Sequence, residues 1–473
     1  MKSGKFFVSI IFLLFLLIAF LVRLNFIPSQ RLWPDEALYA SQATEIGHNI
    51  TFLFSQEANE FHVPLFSFFL SWGRSLLDPP IEGYRFLTIV FNWAGLWVTF
   101  LLARNMLGVR TAIFALAFLA LNRGYFSNAG FILADGLMSA TQALFILSLY
   151  RLKRFFPEGV ILFLFSALLL IYLKWYAILF VLPITAGYFL SPASFLRIKK
   201  ILPWLCVVCF ASIPVLFKIL SIMKAGGPAI FHPTPWWFYF SLNSQITGGL
   251  LPLIFSVYGL FVLRIRKPEV FLLLILWLAA YFGILSCVSE KDIRYLLPIM
   301  LCIAILGGYG LNRAIQVFFN TALLRQAAFK CITVLLLVFS FLCFLKIDGK
   351  FLHSYTGFYE TGEWIKRNSS VDTVILAGST RAIRFITGIP LKRFGGRLEP
   401  LPGSFEDLKT IVLQSKSVIL EIDRWEYTQP QWAYPLTVSK AQALERVAGL
   451  HFSKVIYKKY DGKKIPVVWL FTK

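Results

Sequence analysis

This chain is predicted to be a polytopic α-helical membrane protein, with about 11 transmembrane helices and a C-terminal α/β soluble domain. Its apolar content, the spacing of its basic residues and an abrupt change of composition near residue 347 each point there. Of its 473 residues, 58% are hydrophobic, 17% aromatic and 15% charged, and the mean hydropathy is +0.71. Soluble domains use only roughly 45–50% apolar residues. The formal net charge of +22 would suit a nucleic-acid partner if it were gathered in one patch. It is not: Lys and Arg punctuate the gaps between apolar runs, as cytoplasmic connections require, so no nucleic acid is expected. Cys206, Cys209, Cys287, Cys302, Cys331 and Cys343 lie in or at the ends of apolar runs. That placement argues against a disulfide framework or a zinc site, and the Cys206-x-x-Cys209 pair reads as helix filler.

The first apolar run, Phe6 to Val22, follows Lys2 and Lys5 and lacks a small-residue cleavage site. It reads as an uncleaved span with a cytoplasmic N-terminus. Further spans are expected near 86–103, 111–124, 131–150, 160–174, 176–191, 201–222, 248–263, 270–287, 295–312 and 327–346. The basic connections Arg104 to Arg110, Arg151 to Arg154, Arg197 to Lys200, Arg264 to Lys267 and Arg313 to Arg325 all fall where an odd number of crossings puts the cytoplasm. The opposite side receives the first loop (23–85), the 122–131 turn, the loop GGPAIFHPTPWWFYF, the SEKDIRY loop and the tail. Domain boundaries follow: 1–346 is the membrane domain, including the outward first loop, and 347–473 is an extracytoplasmic α/β domain. The site and the tail are therefore expected on the extracytoplasmic face of a multi-pass cell membrane protein.

From Lys350 onward the chain turns mixed and polar. GEWIKRN, STRAIRFITG and KAQALERVAG have helical patterning, whereas TVILAG, SVILEID, FSKVIYKKY and PVVWLFT read as strands. No glycine-rich phosphate loop stands here or elsewhere, so a soluble nucleotide-sugar or ATP is a poor substrate candidate.

The polar residues at the outward ends of the spans are few. Asp35 and Glu36 lie in RLWPDEALYA, Glu60 and His62 in NEFHVPLF, Asp135 in FILADGLMSA, Lys174 in LLLIYLKWYAIL, and Lys291, Asp292, Arg294 and Tyr295 in SEKDIRYLLP. Each alone has a structural reading: an interfacial lysine snorkels, an Asp before an apolar run caps a helix, and an Arg-Tyr pair anchors a span end. Asp135 and Lys174 stand out because an unpaired charge within apolar flanks costs about 2.5–3.5 kcal/mol. Trp236 and Trp237 read as an interfacial belt or as a stacking platform for a sugar or isoprenoid.

WPDEALYA, FHVPLF, ILADGLMSA, the lysine of LKWYAILFVLP and RYLLP resemble, in order and placement, the membrane glycosyltransferases of the GT-C superfamily. Within it, the resemblance is to the protein O-mannosyltransferase and lipid A aminoarabinose transferase group, and it covers most of the chain. It implies a GT-C type fold. It also implies an inverting transferase that moves a hexosyl or pentosyl unit from a polyprenyl-phosphate donor to a hydroxyl on a lipid, glycan or protein. Carried over residue by residue, Asp35 is the catalytic base, Asp135 a second catalytic acidic residue and Lys174 the holder of the donor phosphate. One departure stands out: where the lipid A enzymes read Phe-Glu-Lys-Pro, this chain has Phe61-His62-Val63-Pro64, which weakens the case for lipid A as acceptor.

The chemistry stands beside the resemblance. A hydroxyl attacking an anomeric carbon needs its proton removed, a task for a positioned carboxylate. The departing phosphate is already a stable anion and needs positive charge, which Lys174 and Arg294 can supply. Glu36, His62, Lys291 and Tyr295 complete the substrate-binding set. Because Pro34 fixes the local chain, Asp35 and Glu36 are expected to point in different directions. Asp135 is open to three roles: positioning the acceptor, orienting a cationic partner, or joining Asp35 and His62 around a divalent metal. Two carboxylates and one histidine do not specify a metal, and no cofactor is required.

A transporter or flippase of lipid-linked sugars is the rival class. Its charges would be expected near the bilayer midplane on broken helices in repeated halves. No such repeat is visible, and the acidic residues gather at one face. A scaffold whose tail recruits partners would leave Asp35, Asp135 and Lys174 without purpose.

Overall fold

The computed structural model describes residues 2–24, 32–55, 57–59, 64–152, 155–189, 198–217, 237–241, 246, 248–287, 292–345, 355–425, 429–460 and 463–473. Along the chain, the longer helices are α1 (Lys2–Leu24), α2 (Pro34–His48), α3 (Pro80–Leu107), α4 (Val109–Leu121), α5 (Asp135–Leu152), α6 (Phe156–Leu173), α7 (Ile178–Phe189), α8 (Ile198–Ala211), α9 (Leu250–Arg266), α10 (Pro268–Cys287), α11 (Leu297–Phe318) and α12 (Ala322–Leu345). The tail adds α13 (Phe358–Asn368), α14 (Thr380–Thr387), α15 (Phe405–Gln414) and α16 (Val438–Ala448). Two compact units divide the chain: one takes 1–27, 59–66 and 85–347, the other 28–58, 67–84 and 348–473.

Among the described residues of the first unit, a helix lies within each apolar run of the sequence. By length and composition, five helices among the described residues can cross a membrane: Pro80–Leu107, Phe156–Leu173, Pro268–Cys287, Ile293–Phe318 and Ala322–Phe339. Shorter apolar helices lie at Phe7–Leu21, Val109–Leu121, Trp175–Phe189 and Leu202–Ala211. Their ends are chemically marked. Pro157 and Glu158 open α6, Glu269 follows Pro268 at the start of α10, and Arg104, Arg151 and the Arg264/Arg266 pair close α3, α5 and α9. This is the arrangement the helix dipole favours.

The centre of this unit is α11, whose apolar window is 94% buried, against 11% for α12. Its run Gly307-Gly308-Tyr309-Gly310 lets backbones touch. A Cβ on Gly310 would sit 1.9 Å from the Phe255 carbonyl oxygen, and one on Gly259 would sit 2.2 Å from that of Leu306. Small residues at such crossings replace the hydrophobic drive that is absent in lipid with close van der Waals packing. On α12, by contrast, Leu335, Phe339 and Leu342 are exposed, a face suited to lipid tails.

The second unit is built on a five-stranded sheet of order β2-β1-β3-β5-β4, with β1 Thr373–Ala377, β2 Leu398–Pro400, β3 Ser417–Asp423, β4 His451–Tyr460 and β5 Lys463–Thr472. β1 runs parallel to β2 and β3; β5 is antiparallel to β3 and β4. Leu376, Val418, Leu420, Ile422 and Phe471 form its core with Leu408 and Val412 of α15 and Leu444 of α16. The strands and helices read from the tail sequence all form. Two elements were not read there: the three-residue β2, and α15, whose start is capped by Ser404 accepting from the Asp407 amide.

This unit also contains residues 28–58 and 67–84, which the sequence reading assigned to the membrane domain. The physical reason is α2, which is buried on nearly every side, with Ala37, Ala40 and Ala43 fully enclosed. The Leu32 amide donates to the Tyr355 carbonyl at 3.0 Å, the Trp33 ring stacks on Tyr355 with centroids 5.6 Å apart, and α14 packs along α2. Tyr355 itself takes φ 56°. That left-handed conformation costs a non-glycine residue about 1–2 kcal/mol, and the ring stack and backbone bond hold it there.

Candidate active site

In the first unit, Asp135 opens α5, and Lys174 occupies the break between α6 and the short turn Trp175–Ala177. The break frees Lys174 from helical geometry, at φ −144°, while its amide still donates to the Leu170 carbonyl. Lys174 Nζ donates to Asp135 Oδ1 at 2.9 Å, with the two side chains 7% and 4% exposed. The second Asp135 oxygen, Oδ2, is buried with no hydrogen-bond partner among the described residues. The ammonium lies 5.6 Å from the ring centroids of both Tyr176 and Tyr295, and those two rings meet edge to face at 6.4 Å.

Arg294 completes this cluster. It sits in the turn Ile293–Leu296 at the head of α11, which Asp292 caps by accepting from the Arg294 amide. The Asp292 carboxylate also stands 3.3 Å from Arg294 Nε, and the guanidinium lies 5.2 Å from the centre of the Tyr295 ring. Lys174 and Arg294 thus share one cluster around the Tyr295 ring, with Tyr176 beside it. Asp135 is the ion-pair partner of Lys174. A buried cation without such a partner would be strongly unfavourable.

In the second unit, Asp35 and Glu36 occupy the first turn of α2 and diverge. Glu36 is fully buried and accepts from the Trp33 amide at 3.1 Å, capping its own helix. Asp35 is a quarter exposed and accepts from Arg381 Nη1 at 2.8 Å. Arg381 belongs to α14, whose N-terminal end is tied to β3: the Gly378 amide donates to Glu421 at 2.9 Å, and the Ser379 hydroxyl donates to Asp423 at 2.8 Å. One turn along α14, Arg384 pairs with Glu57. Burial pushes the Arg384 pKa below its ordinary value; Glu45 opposes that shift and Arg393 adds to it.

Glu60, His62, Lys291 and Trp236 lie outside the described residues. Trp237 is exposed. Among the described residues, no three His, Cys, Asp or Glu side chains gather as metal ligands would. Sequence reasoning missed Tyr176, Arg381 and Arg384. The two arginines stand three apart in STRAIRF and share a helix face, but nothing local names their partners.

No protein-family model matches this chain, and no curated protein sequence does. Solved structures do share its fold. One is ArnT from Cupriavidus metallidurans in the apo state, at 13% identity and a TM-score of 0.69, covering 99% of this chain and 98% of that one. The same protein bound to undecaprenyl phosphate matches at 13% identity and 0.65, covering 97% of each chain. The archaeal oligosaccharyltransferase AglB from Archaeoglobus fulgidus, in complex with an inhibitory peptide and a dolichol-phosphate, matches at 13% and 0.57, covering 96% of this chain and 73% of that one. The arabinofuranosyltransferase AftD from Mycobacteria matches at 14% and 0.57; the alignment covers 98% of this chain and 39% of that one. This chain thus shares the fold of these proteins, with helices long and apolar enough to cross a membrane and a C-terminal sheet domain.

Proposed function

We propose that this chain is an integral-membrane inverting glycosyltransferase that moves a sugar from a polyprenyl-phosphate donor to a hydroxyl acceptor. The observation that carries this reading is the buried cluster of Lys174 and Arg294 at helix breaks, in a fold shared with proteins solved with undecaprenyl phosphate and dolichol-phosphate. Charged residues set deep among apolar helices are costly even when paired with carboxylates, as these are, and such clusters mark functional sites. In the proposed reaction the acceptor oxygen attacks the anomeric carbon as Asp35 takes its proton. The bond to the phosphate oxygen breaks, and the polyprenyl phosphate leaves with the electron pair. Lys174 and Arg294 stabilise the charge that grows on that phosphate. A single displacement inverts the anomeric centre, and no metal or other cofactor is required because side chains supply the positive charge. The eleven-span topology with an outward first loop and tail belongs to the same proposal.

The test is sugar transfer in proteoliposomes, using polyprenyl-phosphate-linked hexose and pentose donors and lipid, glycan and peptide hydroxyl acceptors. Lys174→Ala should weaken donor use about 10–100-fold, the value of one charge-assisted hydrogen bond, and Lys174→Arg should recover part of it. Donor moved across the bilayer with no transfer would replace this reading with a lipid-linked sugar transporter.

A further inference from the structure

The ion pair between Asp35 and Arg381 joins residues 346 positions apart and brings the tail's α14 to the carboxylate assigned as base. Two arginines of α14 reach toward the loop, and their surroundings differ. Arg384 and Glu57 are 14% and 18% exposed, whereas Arg381 and Asp35 are 32% and 25% exposed. The first pair is enclosed like a packing contact; the second keeps an open side that a substrate can approach. Arg381 is also unusually well held for so exposed a side chain. Ala382 and Ile383 beside it are fully buried, and the buried carboxylates of Glu421 and Asp423 anchor the start of α14.

We propose that Arg381 is a positioning residue for Asp35, so that the C-terminal domain is a working part of the transfer machinery rather than an appendage. This rests on the assignment of Asp35 as base. A guanidinium bonded at 2.8 Å selects one carboxylate rotamer and so fixes the direction in which its free oxygen lone pairs point. The task of Arg381 ends at holding Asp35 where the acceptor hydroxyl meets it.

The experiment uses the full-length protein in the transfer assay, with Arg381→Ala, Arg381→Lys, Arg384→Ala, Asp35→Asn and the Asp35→Asn/Arg381→Ala double variant. Arg381→Ala is expected to lower kcat about 10–100-fold with KM for the donor unchanged, and Arg381→Lys to restore most of the loss. Arg384→Ala is expected to lower thermal stability while keeping kcat within about threefold, because breaking a largely enclosed pair away from the reacting group acts on folding rather than chemistry. In the Asp35→Asn background, Arg381→Ala should add no further loss, since residues acting as a unit are non-additive. If Asp35→Asn abolishes transfer but Arg381→Ala loses no more than Arg384→Ala, Arg381 is a docking contact and the proposal fails alone. Undiminished transfer in Asp35→Asn removes the assignment of the base, and this inference with it.

Discussion

Removing one member of the Asp135–Lys174 pair should cost far more than removing both. The side chains are 4% and 7% exposed and joined at 2.9 Å, so Asp135→Asn leaves an ammonium buried beside a neutral amide. Lys174→Met leaves a carboxylate that already has one oxygen without a hydrogen-bond partner among the described residues. Breaking a buried pair by deleting one partner costs about 3–5 kcal/mol, whereas replacing both with apolar or neutral groups of similar volume is often close to neutral. Each single variant should therefore lose about 3–5 kcal/mol. The double variant Asp135→Asn/Lys174→Met should lose no more than either single, giving a coupling of at least about 3 kcal/mol, well above the usual scatter of additivity. Denaturant unfolding in a fixed detergent measures the three differences, and donor binding by the same variants measures whether Asp135 acts through Lys174. For binding, both singles and the double should fall together. Additive losses, with coupling under about 0.5 kcal/mol, would mean that the two charges are held independently and that Asp135 has a task other than orienting Lys174.

Asp35→Asn should lower transfer by about 10²–10⁴-fold, the usual value of a general base, while Glu36→Gln, which can still accept the Trp33 amide, should change transfer by no more than a few fold; steady-state rates of the two variants decide it. Gly310→Ala places a Cβ where 1.9 Å separates it from the Phe255 carbonyl oxygen, so α9 and α11 must part; a loss of about 1–3 kcal/mol from overpacking should appear in the same unfolding experiment, and unchanged stability would refute the close crossing. Single cysteines near Asp35, Arg123, Lys291 and Tyr460 in a cysteine-free background should react with an impermeant reagent from outside, whereas ones near Lys153 and Lys199 should not; tail labelling only in opened cells would overturn the proposed orientation.

Much of the architecture was legible along the chain because its causes are local. Apolar runs bounded by Arg and Lys mark helices whatever surrounds them, and among the described residues a helix lies within each run. The period-two runs of the tail became β1, β3, β4 and β5. α15 was within reach too, since Ser404 followed by Asp407 is a local capping pattern. β2 was not: three residues carry no periodicity, and pairing with β1 alone makes Leu398–Pro400 a strand.

The candidate site divides along the same line. Asp35, Asp135, Lys174 and Arg294 could be singled out from their neighbours, because a charge set among apolar residues is conspicuous in one dimension. Their partners could not. Lys174 meets Asp135 across 39 positions, and Arg381 meets Asp35 across 346; an ion pair is a matter of a few ångströms in space, and sequence separation carries no trace of it. WPDEALYA alone offers two adjacent carboxylates of equal standing. It is the packing of α2 and α14 in one unit that buries Glu36 as a helix cap and leaves Asp35 a quarter exposed against Arg381.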